Sequence, residues 1–354
     1  MQSKEAIPAA EAKHNQMAAA QKVLGMITSF WVSQTLFAAH DLGVFKELSE
    51  GPATATELAS RLGFNEQAGD RLLTACVAIG LLTRDGEKYS NAADTQALLV
   101  PGPAGYMGGF LAHARNDLYA LWGHLDSAVK ENSPRWKQAF KSRSDNPFEE
   151  MYKDPKGLRD FMYAMRGGSI TAVQGMLEVY DFNQHKCFMD VGGALGTVSV
   201  AVAQKYPHLK AISFDLPPVK PLAEEYIASE GVADRVSTAA GDMFKDELPR
   251  GADAIHMSWI LHDWSDEQCA TILRNCYLAL PSGGTILLGE GLMNDDGTGP
   301  LFGALMSLNM LVATDGGRER TASEYKKLLE GAGFTDVKAQ KLESMRDLIT
   351  ARKP

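Results

Sequence analysis

Cys187-Phe-Met-Asp190-Val-Gly192-Gly193-Ala194-Leu195-Gly196-Thr197 joins a short apolar run to a glycine-rich turn and then to a helical pattern. The apolar run reads as a buried strand, the glycines as a turn through which backbone can approach a ligand closely, and 197–206 as the helix that follows. Moving outward, the same rhythm continues: 211–215 is a second strand, 219–230 a second helix, and 236–241, 252–257 and 285–289 are further strands. This alternation predicts an α/β architecture, a parallel doubly wound sheet with ligands at the carboxyl ends of its strands. The turn does not spell GxGxxG, because Ala194 and Leu195 separate Gly193 from Gly196, and a pyrophosphate cofactor is therefore disfavoured.

The residues that end the strands are the candidate site. Asp215 closes the second strand 23 residues after Gly192, where an acid in such folds binds ribose hydroxyls. Asp242, in Gly241-Asp-Met243-Phe244, closes the third. With Asp190 they form a set of acids suited to a ligand with a ribose, an exocyclic amine and positive charge, and poor company for phosphates. The fourth strand runs Ala254-Ile-His-Met-Ser258-Trp259-Ile-Leu-His262-Asp263-Trp-Ser-Asp266, with His262 read as closing it. A histidine at the rim of a ligand site can take a proton near neutral pH, its ordinary pKa being about 6.5. Glu290, at the end of the next strand, and Glu319, in Gly316-Gly-Arg-Glu-Arg-Thr321, are carboxylates able to orient it. Glu319 has an alternative role as an N-terminal charge for the helix opening at Thr321-Ala-Ser-Glu324.

Upstream, 16–99 reads as helices joined by glycine-punctuated turns. Thr54 and Glu57 form a capping-box pattern, 69–79 is an apolar helix, and Asp85-Gly86 sits between two short strands as a hairpin signal. Two helices and a hairpin suggest a winged helix, a motif that often enters the DNA major groove. Its second helix, however, offers only Arg71 as a cation beside Glu66 and Asp70. The apolar helix within 16–40 carries more hydrophobic surface than one small domain can bury, which favours dimerisation. The stretch 101–180 is helical with Pro, Gly and Asn interruptions, and reads as the link between the halves.

Composition narrows the function classes. With 44 Asp and Glu against 35 Lys and Arg the net charge is −9, the wrong sign for broad phosphate neutralisation, so nucleic acid is not an expected partner. Cys76, Cys187, Cys269 and Cys276 never pair as CxxC, so neither a zinc site nor a disulfide framework is expected. The polar, mixed-charge N-terminus lacks signal-peptide order, and polar residues interrupt the apolar run at 23–39 before it reaches the length of a membrane span. A cytoplasmic protein with no membrane partner is expected.

The ordered set Asp190-Val-Gly-Gly-Ala-Leu-Gly, Phe214-Asp-Leu-Pro, Gly241-Asp-Met-Phe, Leu261-His-Asp-Trp-Ser-Asp, Gly316-Gly-Arg-Glu-Arg-Thr and Leu328-Leu-Glu-Gly-Ala-Gly-Phe resembles that of the S-adenosylmethionine-dependent small-molecule O-methyltransferases, over nearly the whole chain. The resemblance implies a Rossmann-like, doubly wound class I methyltransferase domain at 181–354. A mostly α winged-helix dimerisation domain at 1–100 would precede it, with a helical linker at 101–180 contributing to the substrate pocket. It also implies S-adenosylmethionine as cofactor, S-adenosylhomocysteine as product, no metal, a small aromatic acceptor and a homodimer. By motif, Gly192, Gly193, Asp215, Leu216, Asp242, Met243, Phe244, Ser258 and Phe161 would hold the cofactor. His262 would be the general base, with Glu290 and Glu319 flanking it and Asp263 positioning the loop. Met165, Trp259, Phe302, Met306, Asn309, Met310 and Thr314 would line the acceptor pocket. Two positions depart from the family: Ala194 replaces the middle glycine of the first loop, and Ser258 stands where plant members carry a lysine. The rival readings are a cofactor-binding family member with hydroxylase, decarboxylase or pericyclase chemistry, and a ligand-sensing winged-helix regulator.

Overall fold

The computed structural model describes residues 9–102, 105–141, 152 and 154–354. The chain divides into two compact units, Met1–Gly108 and Gly109–Pro354.

The first unit begins with a 33-residue helix, Ala9–Asp41. Short strands β1 (Ala53–Thr54), β2 (Leu82–Asp85) and β3 (Lys88–Asn91) form a small sheet in the order β1-β3-β2. The helix Ala55–Leu62 starts at the capping box expected of Thr54 and Glu57, and the Asp85-Gly86 hairpin is formed. The helix expected from Gly69 begins three residues earlier, at Glu66, because the Asn65 side chain accepts the Ala68 N–H at 3.0 Å and caps it there. Leu58, Leu73, Cys76, Leu82 and Tyr89 fill the core of this unit.

In the second unit a seven-stranded sheet runs β11-β12-β8-β7-β4-β5-β6. Its strands are β4 (Cys187–Val191), β5 (Lys210–Asp215), β6 (Val236–Ala240), β7 (Ala254–Ser258), β8 (Thr285–Glu290), β11 (Thr335–Gln340) and β12 (Asp347–Arg352). A separate parallel pair, β9 (Leu292–Met293) and β10 (Arg320–Thr321), lies outside it. The first five strands are parallel, as the alternation predicts. The sheet as a whole is not: β12 pairs antiparallel with β8 and with β11. Only the turn from 341 to 346 joins β11 to β12, too short for the crossover that a parallel pair needs.

The period of two along each strand places successive side chains on opposite faces. Phe188, Leu287 and Leu348 belong to one buried cluster, while Met189, Ile286, Leu288 and Ile349 belong to the other, so each face of the sheet has its own core. Chain order reverses beside β4, from which β5 and β6 extend to one side and β7 and β8 to the other. A ligand crevice is expected at that switch point, at the carboxyl ends of β4 and β7.

Helix Ala9–Asp41 leaves Leu24, Met26, Ile27, Phe30 and Trp31 between 48% and 64% exposed. Leu24, Ile27 and Trp31, at i, i+3 and i+7, with Met26 and Phe30 beside them, make a continuous apolar face that water solvates poorly. The paired substitution Ile27→Asp and Trp31→Asp should convert a self-associated species into monomer, read as mass by light scattering on a size-exclusion column.

Candidate active site

A cavity of about 710 Å³ opens where the switch point lies. Its floor is the β4 turn. Gly192 has φ +73°, and a Cβ there would sit 2.4 Å from Ile260 Cδ1; one on Gly193 would sit 2.4 Å from Ser213 Oγ. A side chain at either position would have to displace a neighbour, and at Gly192 the left-handed backbone adds strain. Ala194 also adopts a left-handed φ of 48°, so the departure from the family's glycine is accommodated with the backbone path retained, at some conformational cost. That path lets the Ala194 N–H donate to Asp215 Oδ2 at 2.8 Å, while the Leu216 N–H donates to Oδ1 at 2.7 Å. Burial raises the Asp215 carboxyl to about 6, against the two N–H donors that pull it down. Held this way, the carboxylate keeps lone pairs free for hydroxyl donors in the cavity.

The three strand-end acids do not act as one set. Asp190 borders the cavity, but its Oδ1 lies 2.7 Å from His256 Nδ1 in a buried pair, so it belongs to the sheet's own polar interior. Asp242 accepts the Phe244 N–H and pairs with Lys245 at 2.8 Å; burial alone would raise its pKa, but these partners outweigh that and hold it below its ordinary value. Met243, Phe244 and Leu216 add apolar wall around it.

Two helices supply the remaining wall. Pro155–Val179 is capped by Asp154, and turns Phe161, Met165 and Ser169, at i, i+4 and i+8, towards the cavity. Leu301–Ala313 presents Phe302, Leu305, Met306, Asn309 and Met310 on one face. Thr314, just beyond it, also lines the cavity and turns its hydroxyl to the Met310 carbonyl. Asn309 is oriented by Trp122, whose indole N–H donates to Oδ1 at 2.8 Å. Ser258 and Trp259 complete the wall at the end of β7.

His262 sits at the rim, past the end of β7 rather than closing it, in the short 3₁₀ turn Leu261–Asp263, and is 4% exposed. Its Nδ1 lies 2.8 Å from Glu319 Oε1, and its Nε2 3.6 Å from Asp263 Oδ1. With Nδ1–H donated to Glu319, Nε2 is the free base atom. Glu290 acts through the backbone: its Oε1 accepts the N–H groups of Ile260 and Leu261 at 3.1 and 2.9 Å, fixing the turn that carries the histidine. Burial depresses the imidazole, yet the carboxylates of Asp263, Glu319 and Glu290 outweigh it and raise it to about 9. Burial also raises Asp263 to about 6 and Glu290 to about 7.

Glu319 reaches His262 because the loop before it lies flat on the histidine turn. A Cβ on Gly317 would fall 2.6 Å from the His262 carbonyl oxygen. Next in sequence, the fully buried Arg320 donates to the carbonyls of Leu261 and Trp264 at 2.8 and 2.6 Å and ties the same turn down. The alternative role for Glu319 is filled by others, since Thr321 and Glu324 form the helix capping box between themselves. His262, Glu290 and Glu319 also bring one potential metal-ligand atom each within 4.8 Å of one another, a grouping that their sequence separation hides.

Every cavity residue named from the sequence lines this one space, and Glu290 and Glu319 stand behind His262 rather than on its surface. Trp122, Tyr152, Arg166 and Arg346 line it too and were not anticipated. Arg166 was findable, one turn after Met162 on the same helix; Arg346 had no local signal.

A sheet with a large apolar cavity at its switch point and a carboxylate-braced histidine at the rim is the architecture of an α/β enzyme. Comparison with known proteins specifies which. Residues 122–335 match a family model described as the O-methyltransferase domain, and 24–101 match the O-methyltransferase dimerisation domain. The chain is 40% identical to 3-hydroxy-5-methyl-1-naphthoate 3-O-methyltransferase of Streptomyces sahachiroi, over 90% of each chain. It is 38% identical to the acetylserotonin O-methyltransferase of Bos taurus, over 92% of this chain and 95% of the other. The structure of human N-acetylserotonin methyltransferase in complex with SAM superposes with a TM-score of 0.89 at 32% identity, covering 100% of this chain and 99% of that one. PigF with SAH gives 0.86 at 33%, covering 94% and 99%. The chain belongs to the S-adenosylmethionine-dependent O-methyltransferase family.

The glycine floor yields a contrasting pair. Gly192→Ala should lose about 1–2 kcal/mol of stability from the left-handed backbone alone, with further loss from the clash, whereas Ala194→Gly should be neutral to stabilising. Urea denaturation of both variants checks the order.

Proposed function

We propose that this enzyme methylates a hydroxyl of a small aromatic acceptor in the cavity described, with His262 as the general base. The observation that carries the reading is the His262–Glu319 pair at 2.8 Å, buried at the edge of an apolar cavity. S-adenosylmethionine, when bound, supplies an electrophilic sulfonium methyl. Gly192 and Gly193 fit that cofactor because they leave no side chain on the cavity floor, and Asp215 fits because its fixed carboxylate can accept ribose hydroxyls. Leu216, Asp242, Met243 and Phe244 would hold its adenine end, with Phe161 and Ser258 completing the contact surface.

A phenol has a pKa of about 10 and is a weak nucleophile at neutral pH. His262 Nε2 takes its proton as the acceptor oxygen attacks; Glu319 keeps the tautomer and stabilises the imidazolium. Asp263 steadies the opposite edge of the ring, and Glu290 holds the turn. Met165, Trp259, Phe302, Met306 and Met310 supply an apolar surface for a flat ring, with Asn309 and Thr314 as its polar positions. Holding acceptor and donor in line can lower the barrier by several kcal/mol, at least as much as the base contributes. The retained histidine and both glutamates favour transfer over the non-methylating chemistries of the family. The dimerisation domain and the exposed apolar helix face support a homodimer. Among the described residues no helix is long and apolar enough to cross a membrane.

His262→Ala should lower kcat by about 10²–10⁴-fold towards a phenolic acceptor while leaving S-adenosylhomocysteine affinity within a small factor. Full activity in that variant would sink the base assignment. A raised imidazole pKa means that the base form is scarce at neutral pH in the free enzyme. Accordingly kcat/KM should climb with pH, reach half its maximum near 9 and level off above it. Glu319→Gln removes a carboxylate that raises the imidazole, so the rise should move to lower pH while its plateau falls.

No metal enters this reading, although His262, Glu290 and Glu319 lie close enough to hold one. Dialysis against a strong chelator should leave the rate unchanged, and added divalent zinc should inhibit by occupying the base. A chelated enzyme that is inactive until metal is restored would replace the imidazole mechanism.

A further inference from the structure

Arg346 lies in the turn between β11 and β12, outside every motif of the sequence, yet it lines the catalytic cavity and is only 5% exposed. Its guanidinium carbon stands 4.0 Å from the centre of the Trp259 ring, and its Nη1 donates to Ser258 Oγ at 2.8 Å. Its Nε is buried with no hydrogen-bond partner. Among the described residues no carboxylate lies within 4.0 Å of it. The acids that act on it from farther away are held by other groups: Asp190 by His256, and Glu290, through Oε1, by the N–H groups of Ile260 and Leu261, its Oε2 being buried without a hydrogen-bond partner.

A buried cation ordinarily has an anion in contact, because the cost of taking it out of water is otherwise unmet. Desolvation lowers the Arg346 pKa to about 10, which still leaves it charged at neutral pH. The surroundings also preserve room beside it. A Cβ on Gly168 would lie 3.5 Å from Nη2 and 3.7 Å from Trp259 Cζ3. A guanidinium lying over an indole ring makes a cation–π contact that leaves its in-plane N–H groups able to take a carboxylate through two parallel bonds.

We propose that Arg346 is an anion-pairing residue of the cavity, and that a molecule bound there presents a carboxylate to it. This rests on the methyltransferase reading, which admits two sources: the methionine carboxylate of the cofactor, or a carboxylate on the acceptor ring. Arg346 is then a ligand-binding residue, and its stacking on Trp259, itself 5.8 Å from the His262 ring, places the anion next to the base.

Calorimetric titrations of wild type, Arg346→Met and Arg346→Lys separate the sources. S-adenosylhomocysteine is compared with 5′-methylthioadenosine, the same thioether nucleoside without the amino-acid end that carries the carboxylate. A hydroxynaphthoate is compared with the naphthol that lacks its acid group. If the cofactor supplies the anion, Arg346→Met weakens S-adenosylhomocysteine by about tenfold or more and leaves methylthioadenosine within about twofold, with Lys intermediate. If the acceptor supplies it, the same loss appears for the hydroxynaphthoate and not for the naphthol. Equal losses within each pair, or none, overturn the proposal and leave Arg346 as a prop for Trp259. If the Met variant does not fold, Arg346→Lys carries the test, since it keeps the charge but loses the two-pronged geometry. A wild-type protein that binds neither nucleoside overturns the methyl-donor reading, and the naphthoate pair then decides Arg346 by itself.

Discussion

Burying an imidazole among carboxylates is the constraint that organises the catalytic unit. Each ion taken out of water costs several kcal/mol after relaxation, so such a cluster needs fixed partners for its lone pairs and protons. The chain supplies most of them around one 3₁₀ turn, leaving one oxygen each of Glu290 and Glu319 buried without a hydrogen-bond partner. Glu319 takes the imidazole N–H, Glu290 takes two backbone N–H groups, and Arg320 donates to two carbonyls of the same segment. Gly317 is glycine because that shell is packed too closely for a side chain. The imidazole is therefore held rigidly by the chain's own groups, as the base role proposed for it requires in a reaction in which alignment matters as much as proton transfer.

The cavity in front of it divides its labour by element. Strand ends and their turns provide polar, backbone-anchored groups, of which Asp215 is the best fixed. The two long helices provide a broad apolar surface with few polar positions. This separation matches a ligand pair of unlike character, a polar nucleoside cofactor and a flat acceptor, held within one continuous space. Asp190 marks its limit. Although it ends its strand beside the cavity, it is already buried against His256, so position in the topology alone does not make an acid a ligand.

Much of this was legible along the chain because the signals are local. Alternating apolar runs, a glycine turn and capping boxes each act over a few residues, and the five parallel strands formed where those signals lie. The antiparallel β11 and β12 were not read. The exposed edge strand β11 lacks the continuous apolar run that marked the others, and the direction of β12 depends on the strand it finds, not on its own sequence. The site residues carried by motifs were named, and they converge on one cavity. Arg346 was missed because a single arginine in a turn carries no periodicity; its meaning comes from Trp259 and Ser258, 87 and 88 positions away.

The sequence by itself determined the α/β rhythm, the glycines of the cavity floor and the chemical inventory of the site, since backbone freedom and side-chain chemistry are properties of single residues and short spacings. Tertiary structure alone decided which acid meets which base. Glu319 pairs with His262 across 57 positions, Glu290 turns to the backbone, and Asp190 is withdrawn by His256. Proton affinity in a buried site depends on distances of a few ångströms between groups remote in sequence, and only the folded chain sets those distances.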